Sequence, residues 1–135
     1  DLDDRSFTVR MFLMMLIKIL NDDLFGMEKY LSWGIDIQTR TVESSTHRER
    51  LRDEMCQYFR KLGVRSTILE RCNAVTEEML MNAIYDAPTD SQGKSIFNHL
   101  SRKTEVVLES HLQSEIQSAC DGMMVAVSVC DPFGA

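Results

Sequence analysis

Glu77-Glu78-Met79-Leu80-Met81-Asn82-Ala83-Ile84-Tyr85-Asp86-Ala87-Pro88 is the stretch on which the reading of this 135-residue chain depends. Ala74, Val75, Leu80 and Ile84 continue one helical pattern to Ala87, and Pro88 ends it because the residue before proline is pushed out of helical conformation. Glu78, Asn82 and Asp86 recur at i, i+4 and i+8 and so share one face of that helix. On an arbitrary helix such a face is a solvated stripe. Here Asn82, a poor residue for a helix interior, sits between Met81 and Ala83 with an acid one turn earlier, which points to chemistry on that face.

Upstream, Thr67 and Glu70 form a capping-box pair, so a helix is expected to start at Ser66 or Thr67. Before it, Gly63 stands where a C′ glycine closes a helix carrying Leu51, Met55, Tyr58, Phe59 and Leu62 at helical spacing. Thr46 and Glu49 supply the capping box expected to open that helix. Ile35 to Val42 is β-prone and partly alternating, and reads as a strand. Further upstream, Ser6 to about Leu20 is dense in Val, Met, Leu, Ile and Phe. It predicts a helix apolar nearly all round, covered by the core, by a preceding domain or by a second copy of the chain. A short helical segment with Leu24, Phe25, Tyr30, Leu31 and Trp33 is expected to follow and to end at Gly34.

Downstream, Thr89 to Asn98 is polar and reads as a loop. The period then changes to two: Val106 to Glu109, Glu115 to Cys120 and Met123 to Val129 are expected strands, with Asp121-Gly122 as a hairpin turn. The order of elements predicts an α+β fold, a two-layer sandwich with helices on one face of a mixed, largely antiparallel sheet, preceded by the apolar N-terminal helix.

At 44% hydrophobic content the chain suits a single core. The 15 basic and 21 acidic side chains give a net charge of −6, and no basic cluster marks a nucleic-acid surface. Cys56, Cys72, Cys120 and Cys130 are widely spaced, with no zinc or dithiol motif. They are expected to be free thiols in a reducing, cytoplasmic setting. Met11 to Leu20 is about half a membrane span and is interrupted by Lys18, so no membrane association is expected. The acidic start also speaks against a signal peptide. Because the chain opens in a charged stretch without Met, it is expected to be a fragment of a longer polypeptide. His47, His99 and His111 read as surface residues, Asp22-Asp23 as a solvated turn, and Tyr85 as a helix-packing aromatic.

Residues 78–84, Glu-Met-Leu-Met-Asn-Ala-Ile, resemble the N-box of the GHKL ATPase superfamily, which includes anti-sigma-factor serine kinases, sensor histidine kinases, gyrase and mismatch-repair ATPases. The later Asp131-Pro132-Phe133-Gly134 follows a strand where that family has its G1 box. A divergent bacterial group of these domains is similar from about Gly26 to Ala135. The resemblance implies a Bergerat-like ATP-binding domain over residues 34–135, incomplete after the G1-like box, behind a helical segment 1–33 that makes a dimer or interdomain contact. It implies ATP and Mg²⁺ as cofactors: Asn82 as the metal ligand, Glu78 as the general base, and Asp86, Asp131 and Gly134 as further nucleotide-binding residues, Asp131 toward the adenine amino group. An ATP-dependent serine-kinase-like phosphotransferase of bacterial signalling follows, acting on a protein partner and forming a homodimer. Phe133 and Ala135 occupy the two glycine positions of the family pattern, with Gly134 between them. A non-catalytic regulatory module that keeps the fold for protein–protein interaction is therefore the alternative.

Overall fold

The computed structural model describes residues 35–122 and 124–133. The expected apolar helix over 6–20, the short helical segment over 24–33, the whole proposed unit 1–33 and Gly134 lie outside the described residues. Within them the chain forms β1 (Gln38–Val42), α1 (Arg48–Lys61), α2 (Ser66–Met81), β2 (Ser114–Cys120) and β3 (Val125–Cys130), in that order. The strands make one antiparallel sheet in the order β1-β2-β3. Val42 pairs with Ser114 and Gln38 with Ser118, while Ile116 faces Val129 and Cys120 faces Val125. The fold is α+β, and every strand pairing among the described residues is antiparallel.

Alternation along the strands decides which face is covered. Val42, Ile116, Val127 and Val129 point to the helical side, where they meet Leu51, Leu80, Ile84 and Tyr85 in the main core cluster. Cys120, Val125 and Val127 extend that side into a second cluster around Met55, Phe59 and Leu69. Ala119 points the other way, and among the described residues Ile35, Ile37, Met124 and Ala126 gather on it. Both helices therefore sit on one face of the sheet. α1 contributes Leu51, Met55 and Phe59 at i, i+4 and i+8, and Phe59 is fully buried. Each such side chain stabilises the fold by about 1.5–3 kcal/mol on burial.

α1 ends as its glycine predicts. Gly63 has φ +84°; its N–H donates to Arg60 O at 3.0 Å, and the Val64 N–H donates to Phe59 O at 3.1 Å. This is the Schellman pattern, and Val64 packs in the Phe59 cluster as that motif's apolar clasp. The expected capping boxes do not form, because no side chain caps either helix. A 3₁₀ turn, Ser45–His47, leads into α1. Its Ser45 Oγ accepts from the Val106 N–H at 2.8 Å, while Thr46 Oγ1 meets Ser44 Oγ at 3.0 Å. At α2, the Arg65 carbonyl takes the Ile68 and Leu69 amides.

The strand expected over Val106–Glu109 is instead an extended segment with a single bridge, Ser44 to Val107. Val106 and Leu108 are buried in the core. The partner backbone turns into the 3₁₀ helix at Ser45, which cuts the ladder after one bridge. The β2–β3 connection spans four residues rather than two. Asp121 Oδ1 accepts from the Met124 N–H at 2.7 Å, and Gly122 takes φ +87°. No helix among the described residues is long and apolar enough to cross a membrane.

Candidate functional site

The helix over residues 66–87 does not keep one geometry. It is α-helical to Met81, then widens into a π-helical turn over Asn82–Asp86, with the Ala87 N–H donating to Asn82 O at 2.8 Å. The wider turn changes what the polar and apolar positions face. Ala83, Ile84 and Tyr85, three consecutive residues, are all buried, which a regular amphipathic α-turn does not achieve. Glu78, Asn82 and Asp86 all remain exposed. Turns of this kind concentrate at functional positions.

The acids along this segment have different fates. Asp86 Oδ1 is 2.6 Å from Arg102 Nη2, and the same guanidinium lies 4.8 Å from the centre of the Tyr85 ring. Glu77 sits between two arginines of α1: its Oε1 is 3.7 Å from Arg48 Nη1 and its Oε2 is 3.0 Å from Arg52 Nε. The Arg52 pair is an ion contact without hydrogen-bond alignment, since neither Arg52 Nε nor Glu77 Oε2 has a hydrogen-bond partner. Arg48 Nη1 also contacts the Met81 sulfur, and Arg52 Nη1 donates to Asn73 Oδ1 at 3.3 Å. Glu78 and Asn82, by contrast, make no side-chain hydrogen bond or ion pair among the described residues.

Tyr85 is fully buried, and its hydroxyl lies 2.6 Å from Thr104 O and 3.1 Å from Arg102 O. It is a packing residue that ties the turn over 102–104 to the π-helical turn. At the far end of β3, Asp131 Oδ1 accepts the Phe133 N–H at 2.8 Å. Phe133 packs against the main core cluster that runs from Val42 and Leu51 to Leu112 and Ile116. α2 and β3 pack against each other.

The remaining titratable groups lie elsewhere. His47 and His111 approach Glu43 and Glu109 at 3.8 and 3.5 Å on exposed surface. Burial raises the thiol pKa of both Cys56 and Cys72. A hydrogen bond from Arg50, joined by Arg40, holds the Glu54 carboxylate below its ordinary value. Among the described residues no cluster of three or more His, Cys, Asp or Glu side chains could hold a metal ion. Among the described residues, the clefts lined by Arg40, Glu54 and Arg102 do not include Glu78, Asn82, Asp86 or Asp131. Sequence reasoning missed the Glu77–Arg48–Arg52 group. The i, i+4 spacing of the arginines was its one visible sign, and the carboxylate between them comes from another helix. No protein-family model, curated protein or solved structure matches the chain.

Proposed function

We propose that residues 34–135 are an ATP-binding domain of the GHKL type with a Bergerat-like fold, working as a serine-kinase-like or ATPase switch on a protein partner. The observation that carries this reading is the sorting of polar groups along the helix. Glu77 and Asp86 are spent on arginines, while Glu78 and Asn82, the two residues the N-box resemblance marks, are exposed and uncommitted among the described residues. A single amide oxygen is an adequate protein contribution to a Mg²⁺ site, because that ion keeps waters and phosphate oxygens as its other ligands. Asn82 would hold the ion, which when bound neutralises phosphate charge. Glu78, one turn earlier, would accept the proton of an attacking serine hydroxyl or water.

A second reading is favoured by the end of β3. Asp131 already uses one carboxylate oxygen on the Phe133 amide, and Phe133 is seated on the core where close backbone approach to a nucleotide needs glycine. This supports a module that keeps the fold for binding a protein partner without catalysis.

Calorimetry with Mg·ATP and Mg·ADP separates the two. The enzymatic reading expects saturable binding, loss of the Mg²⁺-dependent part of affinity in Asn82→Ala, weaker binding with or without Mg²⁺ in Asp131→Asn, and unchanged binding with turnover down about two to four orders of magnitude in Glu78→Ala. Absence of binding at millimolar nucleotide overturns it in favour of the partner-binding module.

A further inference from the structure

β3 is an edge strand, and among the described residues no strand pairs with its outer side. Val125–Cys130 holds no charged residue and no proline, two of the devices that keep a sheet edge from pairing with another chain. The opposite edge differs, because β1 carries Arg40 and the chain beyond it is bridged at Ser44 to Val107. α2 packs on β3 and meets α1 through Asn73, Thr76 and Glu77. Helical spacing then turns Ile68, Val75 and Met79 away from α1, toward the side of the molecule where β3 is open. Val75 is 58% exposed and Ile68 38%. An unpaired backbone edge and an exposed apolar helix flank thus share one side.

We infer that this side joins a second copy of the chain about a twofold axis, β3 against β3 and α2 against α2, each pair antiparallel. The fold sets both contacts at one level. Val125 and Val127 pack in the cluster of Leu69, near the start of α2, and Val127 and Val129 pack in the cluster of Leu80, near its end. β3 and α2 therefore run the same way, and the middle of the strand lies level with the middle of the helix. A twofold axis perpendicular to the sheet at mid-β3 passes beside Val75. Arg71 and Glu78 stand one turn before and one turn after Val75 on its solvent side, so each Arg71 meets Glu78 of the other copy. Both are exposed, and neither makes a side-chain hydrogen bond or ion pair among the described residues. This charge match, made twice by symmetry, selects a second copy over an unrelated strand, which would pair the backbone edge and leave the charges unmatched. The inference goes beyond the nucleotide reading and does not rest on it: Glu78 is spent only in the dimer, so the monomer is the species that would take Mg·ATP.

The test is sedimentation equilibrium of the 135-residue protein, without nucleotide, from low micromolar to near-millimolar concentration. One strand pair and one helix flank make an interface at the small end of the specific range, so a micromolar dimer is expected. Arg71→Glu and Glu78→Arg should each weaken it about tenfold, since each turns two attractive pairs into repulsive ones, and the double variant should restore it to within about threefold. Val75→Lys, which sets two ammonium groups together at the axis, should abolish it. These three positions are exposed, so circular dichroism should show an unchanged fold. Amide exchange at alternate residues of β3 should slow as concentration rises, while that of β1 should not. A monomer at every concentration leaves the edge to some other chain and overturns the proposal. A dimer that survives Val75→Lys, or that the charge swap does not restore, uses another surface, such as residues 1–33, and overturns it too. Failure of Mg·ATP to bind leaves the dimer standing, because the measurement contains no nucleotide.

Discussion

Replacing Tyr85 by Phe isolates one hydroxyl that holds two parts of the molecule together. The ring is fully buried, and its hydroxyl is 2.6 Å from Thr104 O and 3.1 Å from Arg102 O. One O–H can satisfy one of these carbonyls well at a time, so the loss is one good hydrogen bond and a weaker contact. A net bond is worth about 0.5–1.5 kcal/mol, and an acceptor left unpaired away from water costs about 1–3 kcal/mol. Thr104 is itself exposed, so its carbonyl can recover some hydration, and the expected cost is about 1–2 kcal/mol. Urea unfolding should show it. With an m-value of about 2 kcal/mol/M, typical of a small domain, the midpoint should fall by roughly 0.5–1 M with the slope unchanged. Tyr85→Ala, which also removes the ring and the surface under Arg102, should cost about 3–5 kcal/mol. A Phe variant as stable as the parent would show that the hydroxyl does not tie the 102–104 turn. A Phe variant as damaged as the Ala variant would show that the ring packing has been misread.

Glu54 should give a small pH dependence of known sign. Its carboxylate pKa is held below the ordinary 4.5, first by the hydrogen bond from Arg50, so its contribution is complete above pH 4.5 and is lost as pH falls through the lowered folded value. Glu54→Gln should therefore flatten the acid limb of the urea-midpoint profile while costing only a few tenths of a kcal/mol near neutrality, because the pair is exposed. An unchanged acid limb would remove the assignment. Burial raises the pKa of Cys56 and Cys72 and leaves Cys130 exposed, so iodoacetamide near pH 8 should alkylate Cys130 first, with Cys56 and Cys72 slower by about tenfold or more because the thiolate is the nucleophile. Peptide mass spectrometry reads the order, and equal rates would contradict it.

The elements whose signals are local were legible from the sequence. Gly63 announced its own left-handed cap, the alternation of Ile116, Ser118 and Cys120 announced β2, and Leu51, Met55 and Phe59 announced the buried stripe of α1. What failed was competition for the same group. Thr46 and Glu49 have the spacing of a capping box, yet the hydroxyls near that turn go to Ser44 and to the Val106 amide, a partner 61 residues from Ser45 that no window would reveal. Val106 to Leu108 has the alternation of a strand, and its burial follows that alternation. Its ladder ends because the neighbouring backbone curls, a property of the neighbour. Periodicity reports which side of a segment is buried and says little about whether a second backbone runs beside it for long enough.

The candidate site shows the same limit in chemical form. Spacing alone placed Glu78, Asn82 and Asp86 on one face and treated their side chains as equivalent, and it gave Glu77 no role. Long-range arginines break that equivalence. Arg102 neutralises Asp86 from 16 residues away, and Arg48 and Arg52 hold Glu77 from the facing helix. Whatever binds at this end of the helix therefore meets one carboxylate and one amide rather than a row of acids. A row of free acids would recruit a cation by charge alone; a single carboxylate beside an amide, flanked by neutralised neighbours, leaves room for an anionic ligand to arrive with its own cation.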